Sequence, residues 1–382
     1  MSQFGITTKV FWGDSKYLEF ANYLDQFEFS TATLIVDPGV VDQQCTKEFI
    51  DEINQLKLNI LDVHSPIVDG EPTYDDLDKH ADLLRNKKPD LLIGIGGGTI
   101  MDLAKGISVL INNPGPGIQY RGMNKVKKQP VPFLAVPTTA GTGSEVTWTA
   151  AFIDSVDKMK LGINGNNVAP SFAILEPKYL INSPTQIAVS AGLDSMVHAI
   201  EAVTAKTKND ITVMLGIHAY CLMFVNLPLF VKGKRDIDVC ENLMLSAYIA
   251  GIAMMNAGGG PASGVSYPIG VHYNVPHGYA GGIMLPHVFD INISKGYKGY
   301  EPVFNHLKLV NPSDQHKSFI EAVNNFYELV NAPENFHEWN CKGSESIKFL
   351  TNLTMEQRNE NLLLNPVDFF EDDVKNLLSR VC

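Results

Sequence analysis

Paired cysteines are the first thing the chain lacks. Its five cysteines, Cys45, Cys221, Cys240, Cys341 and Cys382, show no C-x-x-C spacing, which argues against a disulfide framework and a thiolate zinc site and for a reducing compartment. Positive charge is also short: 30 Lys and Arg against 42 Asp and Glu leave a net charge of −12, the wrong sign for a nucleic-acid partner. The basic run Lys125, Lys127 and Lys128 is too brief to change that and reads as a solvated loop. The opening MSQFGITTKVFWGDSK has no basic region leading into an apolar one, so no secretory leader is expected. The most apolar later stretch, Leu243 to Ala257, is broken by small residues and reads as too short to cross a bilayer. There is no internal repeat and no low-complexity segment. With 45% hydrophobic and 19% charged residues, the expectation is a soluble, cytoplasmic globular protein with no membrane partner.

What is present is a chain of 382 residues, enough for two domains that each bury a core. The first half alternates strand-like and helix-like segments. ATLIVD (32–37) is an apolar β-type run closed by the turn signal Asp37-Pro38-Gly39, and Val41, Cys45, Phe49, Ile53 and Leu56 follow at near-helical spacing. LNILDVH (58–64) reads as a strand, and Thr73 is a suitable cap for a helix carrying Leu77, Ala81 and Leu84. LLIGI (91–95) and PFLAVP (132–137) are two more apolar runs with turn chemistry after each. Such alternation implies a parallel sheet covered by helices on both faces. Beyond Asn182-Ser183-Pro184 the texture turns helical: residues 191–202, 211–227, 241–257, 316–330 and 370–381 all fit helices, and a glycine- and proline-rich passage separates them at 258–288. The expected architecture is an α/β domain over 1–184 followed by an all-helical domain over 185–382.

Directly after LLIGI stand Gly96-Gly97-Gly98-Thr99, leading into a helix that contains Asp102 and Lys105. Glycine lets the backbone approach a ligand, and the helix start offers unpaired N–H groups and a positive dipole end, so a pyrophosphate suits the turn. A tight strand–helix connection is the plainer alternative. The pattern is neither G-x-G-x-x-G nor the P-loop. A second loop, Pro137-Thr138-Thr139-Ala140-Gly141-Thr142-Gly143-Ser144-Glu145, also follows a strand and is crowded with hydroxyls. Two such loops meet at the carboxyl edge of a parallel sheet, where open α/β folds place their ligands. Asp37 can accept hydrogen bonds from a ribose diol and repel a 2′-phosphate, favouring NAD over NADP; it equally suits a simple turn.

In AGLDSMVHAIEA (191–202), Asp194 and His198 lie four residues apart. On a helix they share one face, where they can chelate a divalent cation or form a hydrogen-bonded pair. The spacing alone does not choose between the two.

Taken together, VDPGV (36–40), GGGTIMDLAK (96–105), PTTAGTGSEVT (137–147), AGLDSMVHAIEA (191–202) and YNVPHGYAGGIMLPHV (273–288) resemble the iron-containing (group III) alcohol dehydrogenase family, in order and along most of the chain. The resemblance implies the architecture shared with dehydroquinate synthase: a dinucleotide-binding α/β domain, a helical metal and substrate domain, and an active site in the cleft between them. It implies hydride transfer between a small alcohol or aldehyde and NAD(P), and Asp37 favours NAD(H) over NADP(H) there. By the same carry-over Gly97, Gly98 and Thr99 hold the pyrophosphate, Thr138, Thr139 and Thr142 line the cofactor, and Lys160 lies near the nicotinamide ribose. Asp102, Ser144, Thr147 and Ile187 complete the implied cofactor set, and a homo-oligomer, simplest as a dimer, is the implied assembly.

Members of that family usually bind their metal through one Asp and three His. Asp194, His198 and His277 match three of these ligands, but Ser263 and Tyr267 stand fourteen and ten residues before His277, where the family carries a ligand histidine and a proton-relay histidine. A carboxylate and two imidazoles still suffice for Fe²⁺ or Zn²⁺ with open positions. Serine is a poor ligand that can hydrogen-bond a bound water instead. Proton transfer then falls to Tyr267 or His272, although a phenol of ordinary pKa near ~10 needs a nearby cation or metal to work at neutrality; His272 is equally readable as a simple cleft or surface residue. Two other readings share the architecture. A sugar-phosphate cyclase resembling dehydroquinate synthase would need a Lys/Arg cluster that 191–290 does not supply, and a metal-free cofactor-binding relative would mark a decayed site.

Overall fold

Six apolar runs of the first half become the strands of one sheet in the computed structural model, which describes residues 4–55, 58–307 and 315–382. The chain forms two compact units, one of Ile6–Thr139 and Gly143–Ser183, the other of Pro184–Cys382 with Ala140–Thr142 and Gly5.

In the first unit the order is β1 (Lys9–Trp12), α1 (Tyr17–Leu24), β2 (Thr31–Val36), α2 (Gln44–Gln55), β3 (Asn59–His64), α3 (Tyr74–Leu84), β4 (Leu91–Gly96) and α4 (Gly98–Asn112). It continues with β5 (Gly122–Met123), β6 (Phe133–Pro137), β7 (Thr149–Asp154), β8 (Met159–Asn164), β9 (Phe172–Leu175) and α5 (Lys178–Ile181). The main sheet runs β1-β9-β6-β4-β2-β3, every pairing parallel. Its central strand β4 is buried along its whole length. Alternate residues feed opposite faces: Leu92 joins the core with Leu77, Leu103 and Phe133, while Ile93 and Ile95 join Phe20, Phe49 and Leu134. That is why the run reads as uniformly apolar and not as alternating. Thr73 caps α3 as expected: its hydroxyl accepts from the Asp76 N–H at 3.0 Å and its own N–H donates to the Asp76 carboxylate at 3.0 Å. Leu56, expected on the buried side of α2, and the first residues Met1–Gln3 lie outside the described residues.

A purely parallel sheet does not account for the whole unit. β7 and β8 pair antiparallel and, with β5 parallel to β8, make a second three-stranded sheet. The hairpin turns at Lys158, whose φ of 51° is left-handed, and the Asp154 carboxylate accepts from Val156 N–H at 2.9 Å inside the turn. Phe152 and Ile163 anchor it in the core beside α4.

Among the described residues the second unit is helical: α6 (Thr185–Thr204), α7 (Asp210–Val231), α8 (Ile237–Ala257), α9 (Pro261–Tyr273), α10 (His277–Ser294), α11 (Glu301–His306), α12 (Gln315–Leu329), α13 (Gly343–Gln357), α14 (Asn359–Leu363) and α15 (Glu371–Ser379). The passage 258–288, read from sequence as a break, is two helices. Gly258 (φ 88°) closes α8, Pro261 opens α9, and Asn274 (φ 55°) with Pro276 separates α9 from α10, while Pro268 and Pro286 lie inside the two helices. Leu243–Ala257 is likewise corrected. It is part of a 21-residue helix, and α6, α7 and α8 are each long and apolar enough to cross a bilayer. The protein itself buries 83%, 50% and 61% of their most apolar windows, because the three pack on one another and α10 packs on α6.

Candidate metal centre and cofactor loops

In the α/β unit the chain passes from β4 into α4 through Gly97, the helix cap, which has no side chain to satisfy the first N–H groups. A Cβ on Gly96 would lie 2.6 Å from Ile100, so this glycine is needed for the turn itself. One on Gly97 would meet nothing nearer than the Thr139 side chain at 3.4 Å. Gly97, Gly98 and Thr99 are half-buried and leave an open helix N-terminus suited to an anion. Strand order reverses here, since β2 is followed in the sheet by β3 on one side and β4 on the other. Asp37 leaves β2 at that reversal, next to β4, with its N–H donating to Ile95 O at 2.8 Å. Its carboxylate also closes the local turn, accepting from Gly39 N–H at 2.7 Å.

The second loop is tied to α4 by a buried polar network. Asp102 accepts from the Ser144 hydroxyl at 2.6 Å and from Ala151 N–H at 3.0 Å. Lys105, fully buried, pairs with Asp102 at 3.3 Å, donates to Ser144 O at 2.9 Å, and also donates to Thr149 O and reaches the Thr147 hydroxyl. Burial pushes the Lys105 ammonium below its ordinary pKa, with Asp102 opposing, and lifts the buried Glu145 carboxyl to about 7, with Lys105 opposing. Asp102, Ser144 and Thr147, expected among the cofactor residues, also hold the loop in shape. Lys105 and Glu145 were not singled out; the signal at Lys105 was a charge inside the apolar run of α4. Thr138 is buried and donates its N–H to Gly96 O at 2.9 Å, and Thr139 is half-buried. Lys160 is nearly buried and ion-paired to Glu71 at 2.6 Å.

In the helical unit Asp194 and His198 lie one turn apart on α6, and His277 is the first residue of α10. Nε2 of His198 is 3.4 Å from the Asp194 carboxylate, and Nε2 of His277 is 3.8 Å from it. One ligand atom from each of the three lies within 4.8 Å of the other two. Asp194 and His198 are buried and His277 is half-buried; Nδ1 of His198 is buried with no hydrogen-bond partner. A carboxylate is expensive to bury among apolar helices without a cation or donors beside it, and one oxygen with two nitrogens is a donor set that Fe²⁺ and Zn²⁺ accept. The residues fit a divalent cation. Thr142 belongs to this helical unit, as does neighbouring Gly141, whose Cβ would meet Ala191 at 2.8 Å. Ile187, in the first turn of α6, is exposed.

Ser263 does not offer its hydroxyl to the cluster. It donates to Glu201, three residues beyond His198 on α6, at 2.5 Å. Glu201 also accepts from the N–H groups of Gly260 at 2.7 Å, Ala262 at 2.8 Å and Ser263 at 3.2 Å, and so caps α9. Burial pushes the Glu201 carboxyl up while these donors pull it down. Tyr267, one turn further along α9, sets its ring 5.2 Å from that of His277, with the Arg358 guanidinium 4.0 Å from the phenol ring centre. His272 is not one of the three grouped ligands and packs edge-on against Phe349 at 4.9 Å. Glu201 and Arg358 escaped the sequence reading. Glu201 is the one acidic residue of α6 besides Asp194, whereas Arg358 carries no local signal.

The family model for the iron-containing alcohol dehydrogenases matches residues 7–177, and that for the C-terminal region of the Fe-containing alcohol dehydrogenase family matches 188–382. The NAD-dependent methanol dehydrogenase of Bacillus methanolicus is 30% identical over 293 residues, 77% of this chain and 76% of that protein. Alcohol dehydrogenase 4 of Saccharomyces cerevisiae (strain ATCC 204508 / S288c) is 27% identical over 374 residues, 97% of this chain and 96% of its own. Among solved structures, a 1,3-propanediol oxidoreductase superposes with a TM-score of 0.91 at 22% identity, covering 99% of each chain, a likeness of fold.

Proposed function

Because the chain belongs to the iron-containing alcohol dehydrogenase family, we propose that it is a metal-dependent, NAD-linked oxidoreductase interconverting a small alcohol and its aldehyde. The convergence of Asp194, His198 and His277 carries this reading. Relatives named as NAD-dependent methanol dehydrogenase and alcohol dehydrogenase support the reaction class. When bound, the nicotinamide supplies the hydride acceptor or donor, and a divalent cation, Fe²⁺ or Zn²⁺, supplies Lewis acidity toward the substrate oxygen.

The chain's own residues set the rest. Asp194, His198 and His277 hold the cation. The open N–H groups of Gly97, Gly98 and Thr99 receive the pyrophosphate, and Asp37 accepts from a ribose diol and disfavours a 2′-phosphate, hence NAD(H) over NADP(H). Thr138, Thr139, Thr142, Lys160 and Ile187 line the cofactor, while Asp102, Ser144 and Thr147 act by fixing the second loop. Tyr267, against His277 and under Arg358, moves the proton to or from the substrate oxygen. His272 is the alternative relay. An apolar stripe on α7, with Ile211, Met214 and Val225 exposed, supports association into a dimer, to be read by light scattering. We place the enzyme in the cytoplasm.

Metal analysis and an aldehyde panel with NADH test this together. Protein prepared with Fe²⁺ or Zn²⁺ should hold about one equivalent and oxidise NADH against at least one small aldehyde. Asp194→Asn should lose both metal and activity; a variant that keeps both overturns the assignment.

A further inference from the structure

Two cysteines that are far apart in sequence meet in the helical unit. The sulfurs of Cys341 and Cys382, 41 positions apart, lie 3.4 Å from one another, both as free thiols. Main-chain hydrogen bonds hold the pair on either side. Phe336 N–H donates to Val381 O at 2.8 Å, Cys341 N–H to Phe336 O at 3.3 Å, and Cys382 N–H to Leu378 O at 2.9 Å. Cys341 is buried and Cys382 half-buried. The Cys382 thiol donating to Cys341 holds the latter below the ordinary thiol pKa.

We propose that Cys341 and Cys382 are a thiol–disulfide modification site that staples the C-terminal helices α13–α15 into a covalent loop. That loop carries Phe349, which packs on His272, Arg358, which covers Tyr267, and Asn361, whose side chain abuts Gly264 of α9. Oxidation thus fastens the segment that backs α9. A small-molecule disulfide supplies the oxidising equivalents. One of the two cysteines, as its thiolate, attacks one of its sulfurs, forming a mixed disulfide and expelling one thiolate. The other cysteine's thiolate then attacks the protein sulfur of that mixed disulfide, forming the protein bond and expelling the second. Two protons leave the protein, and one external disulfide becomes two thiols.

The test exposes the folded full-length protein to glutathione disulfide, then alkylates it under denaturing conditions and weighs it. All five cysteines should label in reduced protein, and all but the proposed two after oxidation, with peptide mapping joining Cys341 to Cys382. Oxidation should raise the melting temperature by roughly 5 °C, reversibly with dithiothreitol, and should leave Cys382→Ser unchanged. Full labelling after oxidation, a glutathione adduct without a cross-link, a bond to another cysteine, or the same thermal shift in Cys382→Ser each overturns the proposal.

Discussion

The guanidinium of Arg358 sits 4.0 Å from the centre of the Tyr267 ring, and that ring lies 5.2 Å from the His277 imidazole. A cation against an aromatic face contributes about 0.5–2 kcal/mol, and partial burial already pulls the guanidinium below its ordinary pKa. Tyr267→Phe keeps the ring contacts and removes only the hydroxyl. It should lower kcat by about 10²-fold or more with metal content intact. Arg358→Gln should lower kcat in the same direction, and Arg358→Lys should recover part of the loss. Unchanged kcat in Tyr267→Phe would remove the phenol from proton transfer and leave His272.

The Ser263 hydroxyl donates to the Glu201 carboxylate. Ser263→Ala deletes one of four donors to a buried carboxylate and should cost about 1–3 kcal/mol in chemical denaturation. Metal stoichiometry should not change. A variant that loses metal while keeping its stability would return Ser263 to the metal shell.

Lys105→Met removes the ammonium but leaves Asp102 and the carbonyls it served. Breaking a buried pair from one side costs about 3–5 kcal/mol. The second loop should loosen with it, so NADH binding by fluorescence titration should weaken at temperatures where the variant is still folded. Normal NADH affinity in a destabilised variant would show that the network supports the core alone.

His64 and His80 share one hydrogen bond, Nε2 to Nδ1 at 2.8 Å. Burial pushes both pKa values down; Asp62 opposes this at His64 and Asp76 at His80, while Lys79 adds to it at both. In the unfolded chain both rings titrate near ~6.5. Below that pH the unfolded chain takes up protons that the folded pair resists. The stability is therefore fully present above the unfolded pKa and is lost as pH falls toward the folded values. The denaturant midpoint should fall between pH 7 and pH 5 more steeply than in His80→Phe. Parallel profiles for the two proteins would contradict this.

How much of this was legible depended on the range of the interaction. The β4–α4 turn, the Thr73 cap and the Asp194–His198 pair are written within a few consecutive residues, and each formed as read. The β7–β8 hairpin was not, because its strands alternate between buried and half-buried and its turn depends on a lysine at positive φ. The helices of 258–288 were hidden by glycines and prolines that tertiary packing tolerates. Arg358 over Tyr267 and Cys341 beside Cys382 are contacts that only the fold creates.

Next to His277, Gly278 lies so close to α6 that a Cβ there would fall 1.9 Å from Ser190 O. Main chain touches main chain one turn before Asp194. The separation of the three ligands is therefore a dimension of the scaffold, set before any ion arrives. Stripping the site should leave it the right size, and exchanging one divalent ion for another should alter reactivity with little change of shape.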